Sequence, residues 1–93
     1  MKIEVLYFAE FKEITGRESE EFNLSNHNLK DLVDLILHKY HGLSDIIWDE
    51  KIQNLSNQIS VIINNQPIHG ENILSILLSE GDIITFLLPV SGG

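Results

Sequence analysis

From Lys2 to Phe8 the chain is apolar in both registers of an extended strand, with Ile3, Val5 and Tyr7 on one side and Leu6 and Phe8 on the other. That pattern predicts a strand buried on both faces. A short helical turn over Ala9 to Thr15 follows, and Gly16 suits its left-handed stop. Arg17 to Leu24 then alternates charged and apolar residues, which predicts a half-exposed strand with Phe22 and Leu24 inward, antiparallel to the first. Leu29, Leu32, Val33, Ile36, Leu37 and Tyr40 recur at helical spacing, predicting a helix from Leu29 to about His41. Asn28 is a suitable N-cap, Asp31 favours the dipole in the first turn, and Gly42 is the expected stop.

Leu43 to Asn57 reads as a loop with one short helical turn, anchored by Trp48. Ile59 to Ile63 is a continuous apolar strand, and Asn64-Asn65 supplies a tight turn because Asn tolerates positive φ. Pro67 lacks the N–H a central strand needs, so the next short strand belongs at an edge. Glu71 to Ser79 reads as a connection anchored by Ile73, Ile76 and Leu77, and Glu80-Gly81-Asp82 turns into a last strand, Ile83 to Leu88. The order β-β-α-β-β-β predicts one α+β domain over residues 1–93, with a main helix laid across a mixed sheet. The first and last strands are expected side by side and parallel at its centre.

Composition narrows the chemistry. With no cysteine, disulfides, thiol catalysis and thiolate metal sites are absent from the 93 residues. A fold that needs no disulfide suits the cytoplasm, and the charged start and short apolar runs predict neither a signal peptide nor a membrane span. A formal charge of −8 argues against nucleic acid, whose binders need a basic footprint, and fits a partner surface rich in Lys and Arg. The run Glu18-Ser19-Glu20-Glu21 reads as a solvated strand face able to meet such a surface. His38 and His41, with Asp34 four residues before His38, have a spacing compatible with metal ligands. Such pairs are usually solvated helix surface, and no metal site is expected. Ser91 has no base beside it, which speaks against a serine hydrolase.

The sequence ends in Gly92-Gly93 after the last apolar strand. Glycine has no Cβ, so such an end can thread a narrow channel and present a free carboxylate. The chemistry is then expected on the main-chain end and not on a side chain. A terminal carboxylate, with a pKa of about 3.3–3.7, is a poor electrophile at neutral pH. Nothing in this chain can activate it, since there is no phosphate-cradling glycine-rich loop.

Three segments carry a resemblance. They are Val5 to Gly16 (strand, Phe-Ala, charged pair, glycine), Val61 to Ile68 (a Val-Asn-type hairpin), and Gly81 to Gly93 (Gly-Asp turn, apolar strand, Pro-Val-X-Gly-Gly). Over its whole length the chain resembles the ubiquitin-like β-grasp sulfur carriers and protein modifiers, and within them the small subunits of molybdopterin synthase. Two departures are Leu88 where the family often has a first tail proline, and Lys12 where it has arginine.

The resemblance implies a ubiquitin-like β-grasp fold and a protein that is not an enzyme on its own. An E1-like adenylyltransferase would join the Gly93 carboxylate to AMP, using ATP and Mg²⁺ bound on that partner, with no cofactor held by this chain. A sulfur donor enzyme would convert Gly93 to a thiocarboxylate. The large catalytic subunit would receive the sulfur for the pterin precursor of the molybdenum cofactor. Gly92 would give the tail its slimness, and Phe86, Leu88, Pro89, Val90 and Ser91 would form the docking patch. The competing readings are a thiamine-pathway sulfur carrier, a modifier forming isopeptide bonds with lysines, and an interaction domain with an unused tail.

Overall fold

The computed structural model describes residues 1–25, 27–70 and 72–88. Its strands are β1 (Lys2–Leu6), β2 (Ser19–Asn23), β3 (Trp48–Asp49), β4 (Asn54–Leu55), β5 (Ser60–Ile63), β6 (Gln66–Ile68) and β7 (Ile83–Leu87); its helices are α1 (Glu10–Thr15), α2 (Leu29–Lys39) and α3 (Ser44–Ile47). Five strands form one mixed sheet in the order β2-β1-β7-β5-β6, with β3 and β4 a separate small hairpin. β1 and β7 lie parallel at the centre, Val5 opposite Ile84 and Leu6 opposite Thr85. All other neighbours are antiparallel. Two apolar segments from opposite ends of the sequence thus meet in the middle, where each strand has a paired neighbour on both edges.

α2 packs on one face of this sheet. Asn28 caps it, its side-chain oxygen accepting from the Asp31 N–H at 2.9 Å. Leu29, Leu32, Val33 and Ile36 are fully buried, meeting Ile3, Val5, Val61, Ile84 and Phe86 from the sheet in a single core. Each such side chain contributes about 1.5–3 kcal/mol of burial. The helix ends at Lys39, one turn before Gly42, which lies instead in a 3₁₀ turn over His41–Leu43. The stop falls earlier because Tyr40 leaves helical geometry (φ −126°, ψ 84°) and commits its ring and hydroxyl to the sheet.

Because helices cover only one face, β1 is buried on one side and not on two. Ile3, Val5 and Tyr7 point into the core, whereas Leu6 is half-buried and Phe8 is 50% exposed. Ile84 and Phe86 share the core face, as strand alternation requires. The expected loop at 43–57 holds α3 as its helical turn, together with the β3–β4 hairpin, whose tight reversal places Gln53 at φ 51°.

Asn64 and Asn65 both adopt positive φ, as the β5–β6 turn demands. β6 with Pro67 is an edge strand. In the connection to β7, Leu77 is not an anchor: it is 77% exposed, and Leu78 is buried instead. Leu29 N–H donates to the Ile76 carbonyl and Leu78 N–H to that of His27, fixing a register that turns Leu77 outward. No helix among the described residues is long and apolar enough to cross a membrane.

Candidate functional site

β7 carries the chain through the sheet centre toward the Gly-Gly end, and Asp82 sets its start. The Asp82 carboxylate accepts from Ser79 N–H and from the Asn64 amide, each at 2.8 Å, while the Asn64 oxygen accepts from Ile83 N–H at 2.9 Å. The Asn-Asn turn and the Gly-Asp turn therefore interlock, fixing the register of the strand that precedes the tail. Pro89, Val90, Ser91, Gly92 and Gly93 lie outside the described residues.

Of the expected docking patch, Phe86 must be reassigned. It is 1% exposed, among the largest fully buried side chains, and offers no surface to a partner. Leu88 is half-buried and packs against the core. The exposed apolar surface is the other side of the same sheet, around a Thr85 that is itself buried. One row of that face, read through the register, runs Ser19, Leu6, Thr85, Ile62, Pro67. Phe8, Ile83 and Leu87 extend it along β1 and β7. Sequence reasoning missed Leu6, Phe8 and Ile62; the signal was the presence of only one long helix, which cannot cover two faces.

Charge frames this face. Glu4 and Glu21 are register partners on its solvent side, and like charges directly opposite are unfavourable unless a cation lies near. Lys12 and Glu18 pair at 3.0 Å beside a surface cavity of about 520 Å³, lined also by Leu6, Tyr7, Phe8, Ala9 and Ser19.

Glu20 breaks the picture of a solvated acidic run. It is 6% exposed and points to the core side, where alternation carries it with Phe22 and Leu24. Its Oε1 accepts from the Tyr7 hydroxyl at 3.0 Å and the Tyr40 hydroxyl at 2.7 Å. Its Oε2 accepts from Arg17 at 3.1 Å and from the Lys39 ammonium. Burial alone raises the carboxyl's pKa, but the hydrogen bonds from Lys39, Tyr40 and Tyr7 outweigh it and hold Glu20 below the usual carboxylate range. Burial, and then the bond to the anionic Glu20, push the Tyr7 hydroxyl well above its ordinary value. This network ties β1, β2 and the end of α2 together. It is a structural clamp.

Among the described residues, no three His, Asp or Glu side chains converge as a metal site. Asp34 pairs with Lys30 at 3.0 Å. Trp48 is half-buried and packs on the core. The described residues therefore contain a scaffold, a partly exposed apolar sheet face and a strand leading to the tail, with no cluster of metal-ligating side chains.

Comparison with known proteins gives that arrangement its context. The chain is 32% identical to the human molybdopterin synthase sulfur carrier subunit, covering 99% of this chain and 94% of the relative. The solution structure of small archaeal modifier protein 1 from Methanosarcina acetivorans matches at 33% identity with a TM-score of 0.81, over 99% of this chain and 96% of that one. The crystal structure of the Haloferax volcanii protein of the same name superposes with a TM-score of 0.85 at 21% identity, covering all of both chains. Residues 5–93 match the ThiS family. A β-grasp scaffold with a central apolar strand leading toward Gly-Gly, matched from Val5 to the last glycine, places this chain in the ThiS family of ubiquitin-like sulfur carriers.

Proposed function

We propose that this chain is the sulfur-carrying small subunit of a molybdopterin synthase. The reading is supported above all by its likeness to the human sulfur carrier subunit along nearly the whole of both chains. An E1-like enzyme, holding its own ATP and Mg²⁺, transfers AMP to the Gly93 carboxylate and releases pyrophosphate. The terminal sulfur of a donor persulfide attacks the acyl carbon and AMP leaves. A thiol then cleaves the S–S bond, becoming part of a disulfide and leaving a thiocarboxylate on Gly93. The charged carrier delivers that sulfur to the pterin precursor in the large subunit. Gly92 keeps the tail slim, with Leu88, Pro89, Val90 and Ser91 contacting the partner's channel. The sheet face around Leu6, Phe8 and Leu87 supplies the apolar docking area, and a basic partner surface meets its acidic flank.

A second reading, a modifier joined to lysines of other proteins, draws on the likeness to the Methanosarcina modifier protein. Both readings share the adenylate, so one experiment separates them. The chain is incubated with the activating enzyme, ATP and a sulfur donor, then analysed by tandem mass spectrometry. Sulfur-for-oxygen exchange localised to Gly93, consumed when the large subunit and pterin precursor are added, is the expected result. Lysine conjugates without that exchange would establish the modifier instead.

A further inference from the structure

The two outer edges of the sheet differ. β6 is three residues long with Pro67 at its centre, which removes a main-chain donor and blunts that edge. β2 is five residues long, contains no proline and pairs with β1 alone. The register fixes which of its main-chain groups are already used. Tyr7 N–H donates to the Glu18 carbonyl at 2.9 Å, and Leu24 N–H to that of Met1 at 2.8 Å. Antiparallel pairing alternates, so Glu20 and Phe22 also turn their N–H and C=O groups to β1, opposite Val5 and Ile3. Those of Ser19, Glu21 and Asn23 therefore point away from the sheet, and all three residues are exposed.

One row of side chains reaches this edge with its charge unbalanced. Glu21 sits opposite Glu4, and among the described residues neither carboxylate forms an ion pair. Like charges so placed destabilise the strand pair, and a cation opposite Glu21 on a further strand would relieve it. On the other face the Phe22 ring is half-buried, with the Lys39 ammonium 6.0 Å from its centroid. An aliphatic residue opposite Phe22 would complete its burial. A second copy of this chain is a poor fit, because two β2 edges brought together would set Glu21 against Glu21 between chains that each carry −8.

We propose that β2 is an acceptor edge for strand addition. Its occupant is an extended basic segment of a partner protein, with Lys or Arg opposite Glu21 and an aliphatic residue opposite Phe22. Main-chain hydrogen bonds to Ser19, Glu21 and Asn23 supply affinity, and the alternate side chains supply selectivity. β1 stands between this edge and β7, so the inference does not depend on chemistry at Gly93.

The test is an NMR titration of the isotope-labelled whole chain with the capped peptide acetyl-Thr-Val-Lys-Val-Thr-amide. Its pattern is palindromic and serves either strand direction; a control peptide carries Glu in place of Lys. At saturating Lys peptide, hydrogen exchange should slow at the Ser19, Glu21 and Asn23 amides, which pass from water to an interstrand bond. The Glu20 and Phe22 amides, already bonded to β1, should keep their rates. The Lys peptide should bind about fivefold to tenfold tighter than the Glu peptide, the difference between an attractive and a repulsive cross-strand pair. Glu21→Lys, which also removes the repulsion with Glu4, should reverse that order.

No binding of the Lys peptide at millimolar concentration would overturn the proposal, as would equal binding of the two peptides. Binding that leaves the three outward amides exchanging as before would overturn it too, and so would an unchanged order of affinity in Glu21→Lys. Protection of those amides that grows with the concentration of the chain itself would make a second copy the occupant and refute the basic segment.

Discussion

Replacing Glu20 by alanine should cost about 3–4 kcal/mol, most of it from groups left behind and not from lost ion pairs. The Tyr7 hydroxyl, donating to Glu20 at 3.0 Å in a buried setting, would lose its acceptor. An orphaned buried donor costs about 1–3 kcal/mol. The Tyr40 hydroxyl, at 2.7 Å and part-buried, can turn partly to water, so its loss is nearer the net value of about 1 kcal/mol for one hydrogen bond. Arg17 and Lys39 are half-exposed and rehydrate on release, so the loss of their ion pairs adds little.

Urea denaturation followed by tyrosine and tryptophan fluorescence reads this directly, because a domain of this size has only about 5–15 kcal/mol in total. The double variant Tyr7→Phe with Glu20→Ala should recover part of the loss, since it removes the orphan. A cost below about 1 kcal/mol for Glu20→Ala, or no recovery in the double variant, would refute the clamp.

The same network sets the pH limits of stability. The Glu20 pKa is depressed on folding, so its contribution is present above the ordinary carboxyl range near 4.3 and is lost as pH falls through the lower folded value. The Tyr7 pKa is raised, so its contribution holds below about pH 10 and fades as pH climbs toward the folded value; Glu20→Gln should flatten the acid limb of a stability–pH curve. Phe86→Ala should cost about 3–5 kcal/mol as a core truncation, visible in thermal melts before any binding assay; a fully stable variant would return Phe86 to the surface. Asn65→Gly, at φ 70°, should change stability by no more than about 0.5 kcal/mol, because relief of positive φ and the added chain entropy nearly cancel; a loss above about 1 kcal/mol in urea denaturation would contradict the turn geometry.

The sequence alone determined the parts whose cause is local. The N-cap at Asn28, the stripe of Leu29, Leu32, Val33 and Ile36, the left-handed stop at Gly16 and the Asn-Asn turn each follow from a few neighbouring residues. The parallel pairing of β1 with β7 was also legible, because two strands so apolar both need the centre of a sheet. What only the tertiary structure decided is which face each strand shows and which partner each polar group finds. Phe8 and Phe86 are both aromatics in apolar strands, yet one faces solvent and the other the core. Glu20 sits in an acidic run, yet its charge is held by Tyr7, Tyr40, Arg17 and Lys39 from three separate parts of the chain. Alternation fixes only that neighbouring residues point apart; the single helix layer fixes which of the two sides is inside.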